Sequence, residues 1–225
     1  GGLEETICDD DSTVDTETVR QAYSDCVRYL SDIYGEMFPL LTDQFDYVIT
    51  LSDHGELLGE HDGWTHGYGL YRELTNVPLS VYGPETTDNS IDELVNLLDL
   101  HSTVLDIAIG ESGPRGHSFF DKHWSQSCLT EYHGFTELKL NKLRSAGIPE
   151  QRLNHYDSIL RGIAQSDYYG FETPDEFTGS GKTSADKIKA VLPNIVDDLD
   201  IRHRRSSSQE VSDSLMTHLE ELGYA

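Results

Sequence analysis

The side chains of this sequence that could do chemistry are concentrated in the twenty residues from Ser52 to Tyr71, which hold three histidines, four carboxylates and five glycines. A carboxylate directly followed by an imidazole, as in Asp53-His54, can supply two ligands to one divalent cation, and glycines let the backbone approach a bound anion closely. Such a metal site polarises a sulfuryl or phosphoryl oxygen and orients the ester for displacement. Taken alone, Asp-His-Gly is a weak signal, because a turn of this kind often only ends a strand.

Two predicted strands would position this stretch. The run from Phe45 to Leu51 is short and rich in aromatic and β-branched residues, and polar residues from Ser52 onward follow it directly. We interpret it as a buried strand with a functional loop at its carboxyl end, which in open α/β sheets is the edge where ligands bind. A second strand, with prolines near its ends, is predicted over residues 76–84.

Two predicted helices flank these strands. Apolar residues recur every three to four positions over residues 16–38 and again over residues 91–109. This spacing is typical of amphipathic helices. Asp15 or Thr16 would cap the first helix, and Pro39 would lie near its end. Helix, strand, strand and helix in this order favour an α/β layered fold.

The pattern of the sequence changes near Gly110, after which short apolar runs alternate with loops rich in glycine, proline and charged residues. We therefore predict two parts, an α/β domain over residues 1–110 and a smaller α+β subdomain over residues 111–225. The predicted elements of the second part are antiparallel strands at 127–132, 156–163 and 166–171, a loop at 173–182 and a terminal helix over 211–222.

The charge of the chain is strongly unbalanced, with 41 acidic residues against 16 basic ones and a formal net charge of -25. Apolar residues persist along the chain, so we expect a folded acidic surface and not a disordered tail. Such a surface repels nucleic acid, and no apolar run approaches the roughly 18 residues of a membrane span. The pattern is typical of salt-accumulating halophiles and suggests a halophilic archaeon; an ordinary acidic protein is the alternative.

The order of these elements and motifs resembles the sulfatase family of the alkaline phosphatase superfamily. The segment Leu98–Asp106 resembles the family's Asp-x-x-Pro-Thr-x-Leu-Asp helix, and the resemblance is loose over residues 110–205. The other matching features are the helix over 16–38 with Tyr23, Asp25 and Leu30, the run from Ser52 to His61, His66 with Leu70-Tyr71, the Val77-Pro78-Leu79 strand and the terminal Leu222-Gly223-Tyr224.

The resemblance implies an alkaline-phosphatase-like sandwich, of which this chain would hold the C-terminal portion of the main mixed sheet. It also implies that Asp53 is a metal ligand and that His54 completes the coordination. His66 lies where the family has a Lys or His touching the sulfate and the bridging oxygen, which makes it the catalytic and substrate-binding candidate. His61 is a weaker substrate-binding candidate in an outer position, and Glu56 and Glu60 are interpreted as charges on an exposed turn.

The implied cofactor is one divalent cation, held by Asp53, His54 and aspartates upstream. Oxygen-rich coordination favours Ca²⁺ or Mg²⁺, while an imidazole ligand also suits Mn²⁺ or Zn²⁺. The family's nucleophile is a formylglycine made in a Cys/Ser-x-Pro/Ala-x-Arg setting. None of Cys8, Cys26 and Cys128 lies in that setting, and their wide spacing indicates free thiols.

The chain starts with neither an initiator methionine nor a signal peptide. We therefore expect an N-terminal half of roughly 200 residues before Gly1 that carries the nucleophile, which would leave this chain alone inactive.

The activity that the resemblance implies is the hydrolysis of small-molecule or carbohydrate sulfate esters. Sulfate and phosphate monoanions have similar geometry, so a phosphodiesterase, a phosphonate hydrolase or a phosphoethanolamine transferase of the same superfamily is the alternative. A binding module that kept the fold and lost the site is an alternative of another class. The sequence leaves the individual ester and the oligomeric state open.

Overall fold

A computed structural model of the chain describes residues 15–84, 86, 90–121, 124–174 and 176–197. It contains both helices and strands, as the predicted α/β fold class requires, and the described strands pair antiparallel where a mixed main sheet was predicted. In chain order the elements are α1 (Thr16–Gln44), β1 (Val48–Leu51), β2 (Leu57–Leu58), a 3-10 turn (Glu60–Asp62), β3 (Trp64–Thr65), α2 (Arg72–Thr75), β4 (Leu79–Tyr82), α3 (Leu97–Ile109), β5 (Cys128–Tyr132), α4 (Glu137–Ser145), α5 (Glu150–Tyr156), β6 (Leu160–Gln165), β7 (Tyr168–Glu172), β8 (Phe177–Gly181) and α6 (Ala185–Asp197).

Helix α1 begins as predicted but ends later. Asp15 caps it by accepting a hydrogen bond from the Glu17 backbone N–H at 3.3 Å. The predicted end near Pro39 is wrong, because the helix continues through this proline to Gln44. Pro39 deprives the Gly35 carbonyl of its helical donor. Gly35 is exposed, so water can take the place of that donor.

Strands β1 and β4 lie where the two N-terminal strands were predicted. They pair antiparallel, with Val48 opposite Tyr82 and Leu51 opposite Leu79. The prediction that the first strand is buried is wrong, since three of its residues are half-buried and Leu51 is 39% exposed. Among the described residues this sheet has two strands, so each strand has a neighbour on one side alone and much of its surface stays accessible to solvent.

Helix α3 is shorter than predicted and begins at Leu97, not at residue 91. Asn96 caps it, and the Asp99 carboxylate accepts a hydrogen bond from the Asn96 backbone N–H at 2.8 Å, which completes a capping box. This reciprocal cap fixes the start of the helix although the apolar spacing continues upstream of it. Gly110, with φ of 69°, ends the helix.

The C-terminal part contains a four-stranded antiparallel sheet in the order β5-β6-β7-β8. The three predicted strands are confirmed, but the second one begins at Leu160, because residues up to Tyr156 form α5. The predicted loop at 173–182 is wrong, since Phe177–Gly181 pairs with β7 as an edge strand. This strand contains two glycines, which have low β propensity, so its pairing and not its composition makes it a strand.

The core lies around this sheet. On one face, Ile163 and Tyr168 pack against Ile188 and Leu192 of α6. Another cluster joins Leu160 and Phe171 to Leu70, which belongs to the loop after His66. The C-terminal sheet therefore supports the segment that carries the candidate site.

Several predictions fall outside the described residues or stay predictions. The terminal helix over 211–222 and Cys8 lie outside them, and the domain boundary near residue 110 stays a prediction. Cys26 and Cys128 are free thiols, as predicted. In the part of the chain that the structure describes, no helix is long and apolar enough to cross a membrane.

Candidate metal and ester site

A short hairpin brings two distant residues of the site together. Strands β2 and β3 pair Leu57 with Thr65, so the residues just outside this pair, Glu56 and His66, lie side by side. The Glu56 carboxylate oxygen Oε2 is 3.0 Å from His66 Nδ1. The interpretation of Glu56 as an exposed charge is therefore wrong: its side chain is 25% exposed and is hydrogen-bonded to His66.

The tip of the hairpin is fixed to helix α1. Glu60 accepts hydrogen bonds from the Leu58 backbone N–H at 2.6 Å and from the Arg20 guanidinium at 2.9 Å. Partial burial raises the pKa of Glu60, but these hydrogen bonds and the positive charge of Arg20 outweigh it, so the pKa is lowered overall. Glu60, also predicted to be an exposed charge, instead joins the hairpin to the helix.

The backbone of the hairpin adopts conformations that side chains seldom tolerate. His61 has φ of 55°, and Thr65, directly before His66, has φ of 66°. Left-handed backbone is rare for a β-branched residue such as threonine and costs about 1–3 kcal/mol. The position of His66 thus depends on a strained backbone conformation at Thr65, which the contacts around the hairpin have to stabilise.

The turn after β1 presents Asp53 and His54. His54 Nδ1 lies 2.9 Å from the Gly55 carbonyl oxygen, which can only accept, so Nδ1 carries the proton and Nε2 keeps its lone pair. Asp53 Oδ1 accepts from the His54 backbone N–H at 3.0 Å. The Gly55 N–H donates to the Leu74 carbonyl at 2.8 Å, and a Cβ at Gly55 would lie 1.8 Å from the Glu73 carbonyl oxygen. Only glycine fits this turn.

Asp53 and His54 fit one divalent cation. Asp53 Oδ2 is 3.8 Å from His54 Nε2, and two neighbouring ligands of an octahedral cation at Ca²⁺ distances lie about 3.3–3.7 Å apart. The imidazole already has the tautomer that a metal ligand needs, with its other nitrogen held by a backbone carbonyl. The Asp53 side chain is 68% exposed, which leaves room for ligands from elsewhere.

His66 lies beside this pair. The rings of His54 and His66 are 4.0 Å apart between centroids and tilted by 32°. The His66 side chain is 45% exposed. The structure therefore brings together three of the four residues that the sequence singled out, Asp53, His54 and His66.

His61 points elsewhere. Its ring stacks on Tyr71 at 4.0 Å with an interplanar angle of 8°, and its Nε2 is 3.2 Å from Glu73 Oε2. It is absent from the lining of the cavity that Asp53, His54 and His66 share. That His61 touches a substrate stays a prediction. Its contacts with Tyr71 and Glu73 give it a structural role.

The shared cavity has a volume of about 1030 Å³ and is lined by charged side chains of both signs, several of which the sequence did not reveal. Arg72, Arg115 and His117 line it together with His54 and His66. His117 lies outside the motifs that the sequence singled out, so its place in this cavity was missed. Three carboxylates, those of Asp53, Glu131 and Asp167, also line the cavity. The two arginines therefore offer a local attraction for an anionic group, not a cavity of net positive charge.

Helix α3 holds the loop that delivers Arg115 and His117. Asp99 Oδ1 accepts from the His117 backbone N–H at 2.8 Å, and Thr103 Oγ1 accepts from the Phe119 N–H at 2.9 Å. Ser102 donates to the Arg115 carbonyl at 2.7 Å. The polar residues of the Leu98–Asp106 motif thus face this loop. That motif was the sequence signal that could have led to Arg115 and His117.

Part of the chain is similar to a known protein family. Residues 4–111 match the family described as Sulfatase. The uncharacterized sulfatase YidJ of Escherichia coli (strain K12) is 30% identical over 89 residues, which make up 38% of this chain and 18% of that protein. Arylsulfatase K of Xenopus laevis is 32% identical over 95 residues, which make up 40% of this chain and 18% of that protein. The chain thus spans less than one fifth of the length of these relatives.

A solved structure shows the same fold. The crystal structure of a putative sulfatase from Bacteroides thetaiotaomicron VPI-5482 matches with a TM-score of 0.51 at 20% identity, over 68% of this chain and 35% of that chain. This likeness confirms the predicted alkaline-phosphatase-like fold class. Residues 4–111, a little under half of the chain, include Asp53, His54 and His66, so the part of the chain that carries the candidate site is the part that is similar to the sulfatase family.

Proposed function

We propose that the whole protein is a sulfuric ester hydrolase and that this chain supplies one wall of its active site. The observation that carries the proposal is the convergence of Asp53, His54 and His66 on one cavity together with further basic side chains. The match of residues 4–111 to the sulfatase family supports the same activity. The substrate would be a small-molecule or carbohydrate sulfate ester.

Each residue has a proposed role. Asp53 and His54 would hold a divalent cation, Ca²⁺ in first place and Mg²⁺ or Mn²⁺ as alternatives, which when bound would polarise a sulfuryl oxygen. His66 would donate a hydrogen bond to the ester and stabilise the charge that develops on the bridging oxygen. Arg115 would add positive charge to the wall that receives the sulfate. The nucleophile, proposed to be a formylglycine, is none of the described cysteines, because neither Cys26 nor Cys128 has the required setting.

The test compares the wild-type whole protein with Asp53→Ala. We expect the affinity for Ca²⁺, measured by isothermal titration calorimetry, to fall at least about tenfold, and the hydrolysis of 4-nitrophenyl sulfate to fall with it. Asp186→Ala, at an exposed position of α6, is the matched control and should change neither quantity. Unchanged Ca²⁺ affinity in Asp53→Ala would contradict the metal assignment.

The same assay separates the proposal from its alternatives. Phosphate and phosphonate monoesters place oxygens much as sulfate does, and the described donor atoms suit either group. A phosphonate monoester cleaved faster than 4-nitrophenyl sulfate would favour the phosphonate hydrolase alternative. Metal binding without turnover of any of these esters would favour a binding module that kept the fold.

A further inference from the structure

We propose that His54, Glu56 and His66 form a second metal site, which takes a borderline cation such as Zn²⁺. This site and the Asp53-His54 site cannot be filled at the same time, because both use His54. One nitrogen of each imidazole and one oxygen of the Glu56 carboxylate lie within 4.8 Å of one another. The three residues come from the turn after β1 and from both sides of the β2–β3 hairpin, so the fold places them together.

The geometry is close to that of a bound ion. In a tetrahedral zinc site with bonds near 2.0–2.1 Å the donor atoms lie about 3.4 Å apart. The 3.0 Å contact between Glu56 Oε2 and His66 Nδ1 is a hydrogen bond, so an ion that binds both atoms displaces the proton between them. Closing the widest separation by about 1.4 Å takes side-chain rotation, which partly exposed side chains allow.

The donor set selects the class of ion. Two imidazoles and one carboxylate are the protein ligands of many catalytic zinc sites, in which water fills the fourth position. Ca²⁺ prefers six to eight oxygen donors and Mg²⁺ an octahedron of oxygens, so neither suits a site with two nitrogens. Zn²⁺ binds nitrogen ligands more tightly than Mn²⁺ does, as the general order of divalent metals predicts.

The backbone prepares one ligand of this site. The Gly55 carbonyl holds the proton of His54 on Nδ1, so the Nε2 lone pair is available to either site. A Zn²⁺ ion bound to His54, Glu56 and His66 removes His54 from the other site and His66 from the ester. Zn²⁺ therefore inhibits the hydrolase; this consequence alone rests on the proposed function, whereas the binding itself does not.

The test is a crossed comparison of two variants of the purified protein, with Co²⁺ as the spectroscopic substitute for Zn²⁺. Bound Co²⁺ is followed by its visible absorption, and Zn²⁺ affinity by displacement of Co²⁺. We expect Glu56→Gln to weaken Zn²⁺ binding at least about tenfold and to leave Ca²⁺ affinity within about twofold. Asp53→Asn should do the reverse, because Asp53 belongs to the other site alone.

The chain offers a matched control, since His61 and Glu73 form another histidine–glutamate pair at 3.2 Å. Glu73→Gln should leave Zn²⁺ affinity unchanged, because the His61–Glu73 pair has no third ligand among the described residues. His66→Ala serves as a second variant, and circular dichroism checks that each variant is folded. Equal Zn²⁺ affinity in wild type, Glu56→Gln and His66→Ala would overturn the second site, and it would leave the Ca²⁺ site and the hydrolase activity standing.

Discussion

Helices α3 and α6 are both thirteen residues long, yet they bury opposite kinds of side chain. Helix α6 buries Ile188 and Leu192 against the C-terminal sheet. Helix α3 buries Asp99, Ser102 and Thr103, while its leucines at 97 and 98 are more than half exposed. One helix is therefore held by apolar burial, and the other by hydrogen bonds to the loop that carries Arg115 and His117.

The difference separates two tasks. Apolar contacts are not directional, so α6 supports the sheet without fixing any single atom. Hydrogen bonds fix distance and angle, so α3 determines where the backbone of the cavity loop runs. Gly116 shows how closely this loop lies on the helix, because a Cβ there would be 2.5 Å from the Leu98 carbonyl.

The largest effect is expected where apolar burial is removed. Leu192 is 2% exposed, so Leu192→Ala leaves a cavity between α6 and the sheet. We expect the free energy of unfolding to fall by about 3 kcal/mol, as measured by urea denaturation. Leu97→Ala makes the same change at a side chain that is 52% exposed in α3. A loss as large in Leu97→Ala would contradict the distinction between the two helices.

A somewhat smaller effect is expected where buried hydrogen bonds are removed. Asp99→Ala leaves the backbone N–H groups of Asn96 and His117 without their acceptor, and Asp99 is 2% exposed. We expect a loss of about 2 kcal/mol in the free energy of unfolding. In the first turn of α6, Asp186→Ala removes an exposed carboxylate and should cost less than about 1 kcal/mol. If both variants lower the free energy of unfolding by the same amount, the buried face of α3 does not stabilise the loop.

The smallest effect is expected at a polar contact that is partly exposed. The pKa of Glu60 is lower in the folded protein than in the unfolded chain. Its carboxylate therefore stabilises the fold above the unfolded pKa, and this contribution disappears as the pH falls through the folded pKa. Glu60→Gln should cost less than about 1 kcal/mol at neutral pH and nothing in acid, as measured by urea denaturation at several pH values.

The control for this pH dependence is Glu36→Gln, at an exposed position of the same helix α1 that Glu60 contacts. It should leave the free energy of unfolding unchanged at every pH. A constant difference between wild type and Glu60→Gln across the pH range would show that the contact acts through shape and not through charge.

The sequence predicted where helices and strands lie better than it predicted which of their side chains are buried. Apolar spacing located α1 and α3, but it did not reveal that Leu97 and Leu98 are exposed and Asp99 is buried. Periodicity reports which side chains are apolar, whereas burial depends on what packs against them. Helices α4 and α5 and the strand Phe177–Gly181 were missed, because their sequences are short or of low propensity and are fixed by tertiary packing. Helix α6 was also missed, although Ile188, Leu192 and Ile195 recur at helical spacing and could have located it.

The site was predicted in part. The run from Ser52 to Gly55 and the spacing to His66 pointed to residues that the structure gathers at one cavity, and their chemical roles stay predictions. Glu56 was missed because its nearness to His66 follows from a hairpin of two-residue strands around Gly59 and Gly63, which is too short for periodicity to detect. Arg115 and His117 were missed because hydrogen bonds to α3, and not a local pattern, place them.

The hydroxyl of Tyr169 donates to the Leu70 carbonyl and accepts from Thr75 Oγ1, so it ties both ends of the segment behind the site to strand β7. Leu74 of this segment accepts the N–H of Gly55, at the turn that presents His54. In amide hydrogen exchange, the Gly55 proton should therefore be released only when this segment parts from the sheet. We therefore expect the turn that presents His54 and strand β7 to open as one cooperative unit, although more than a hundred residues separate them along the chain.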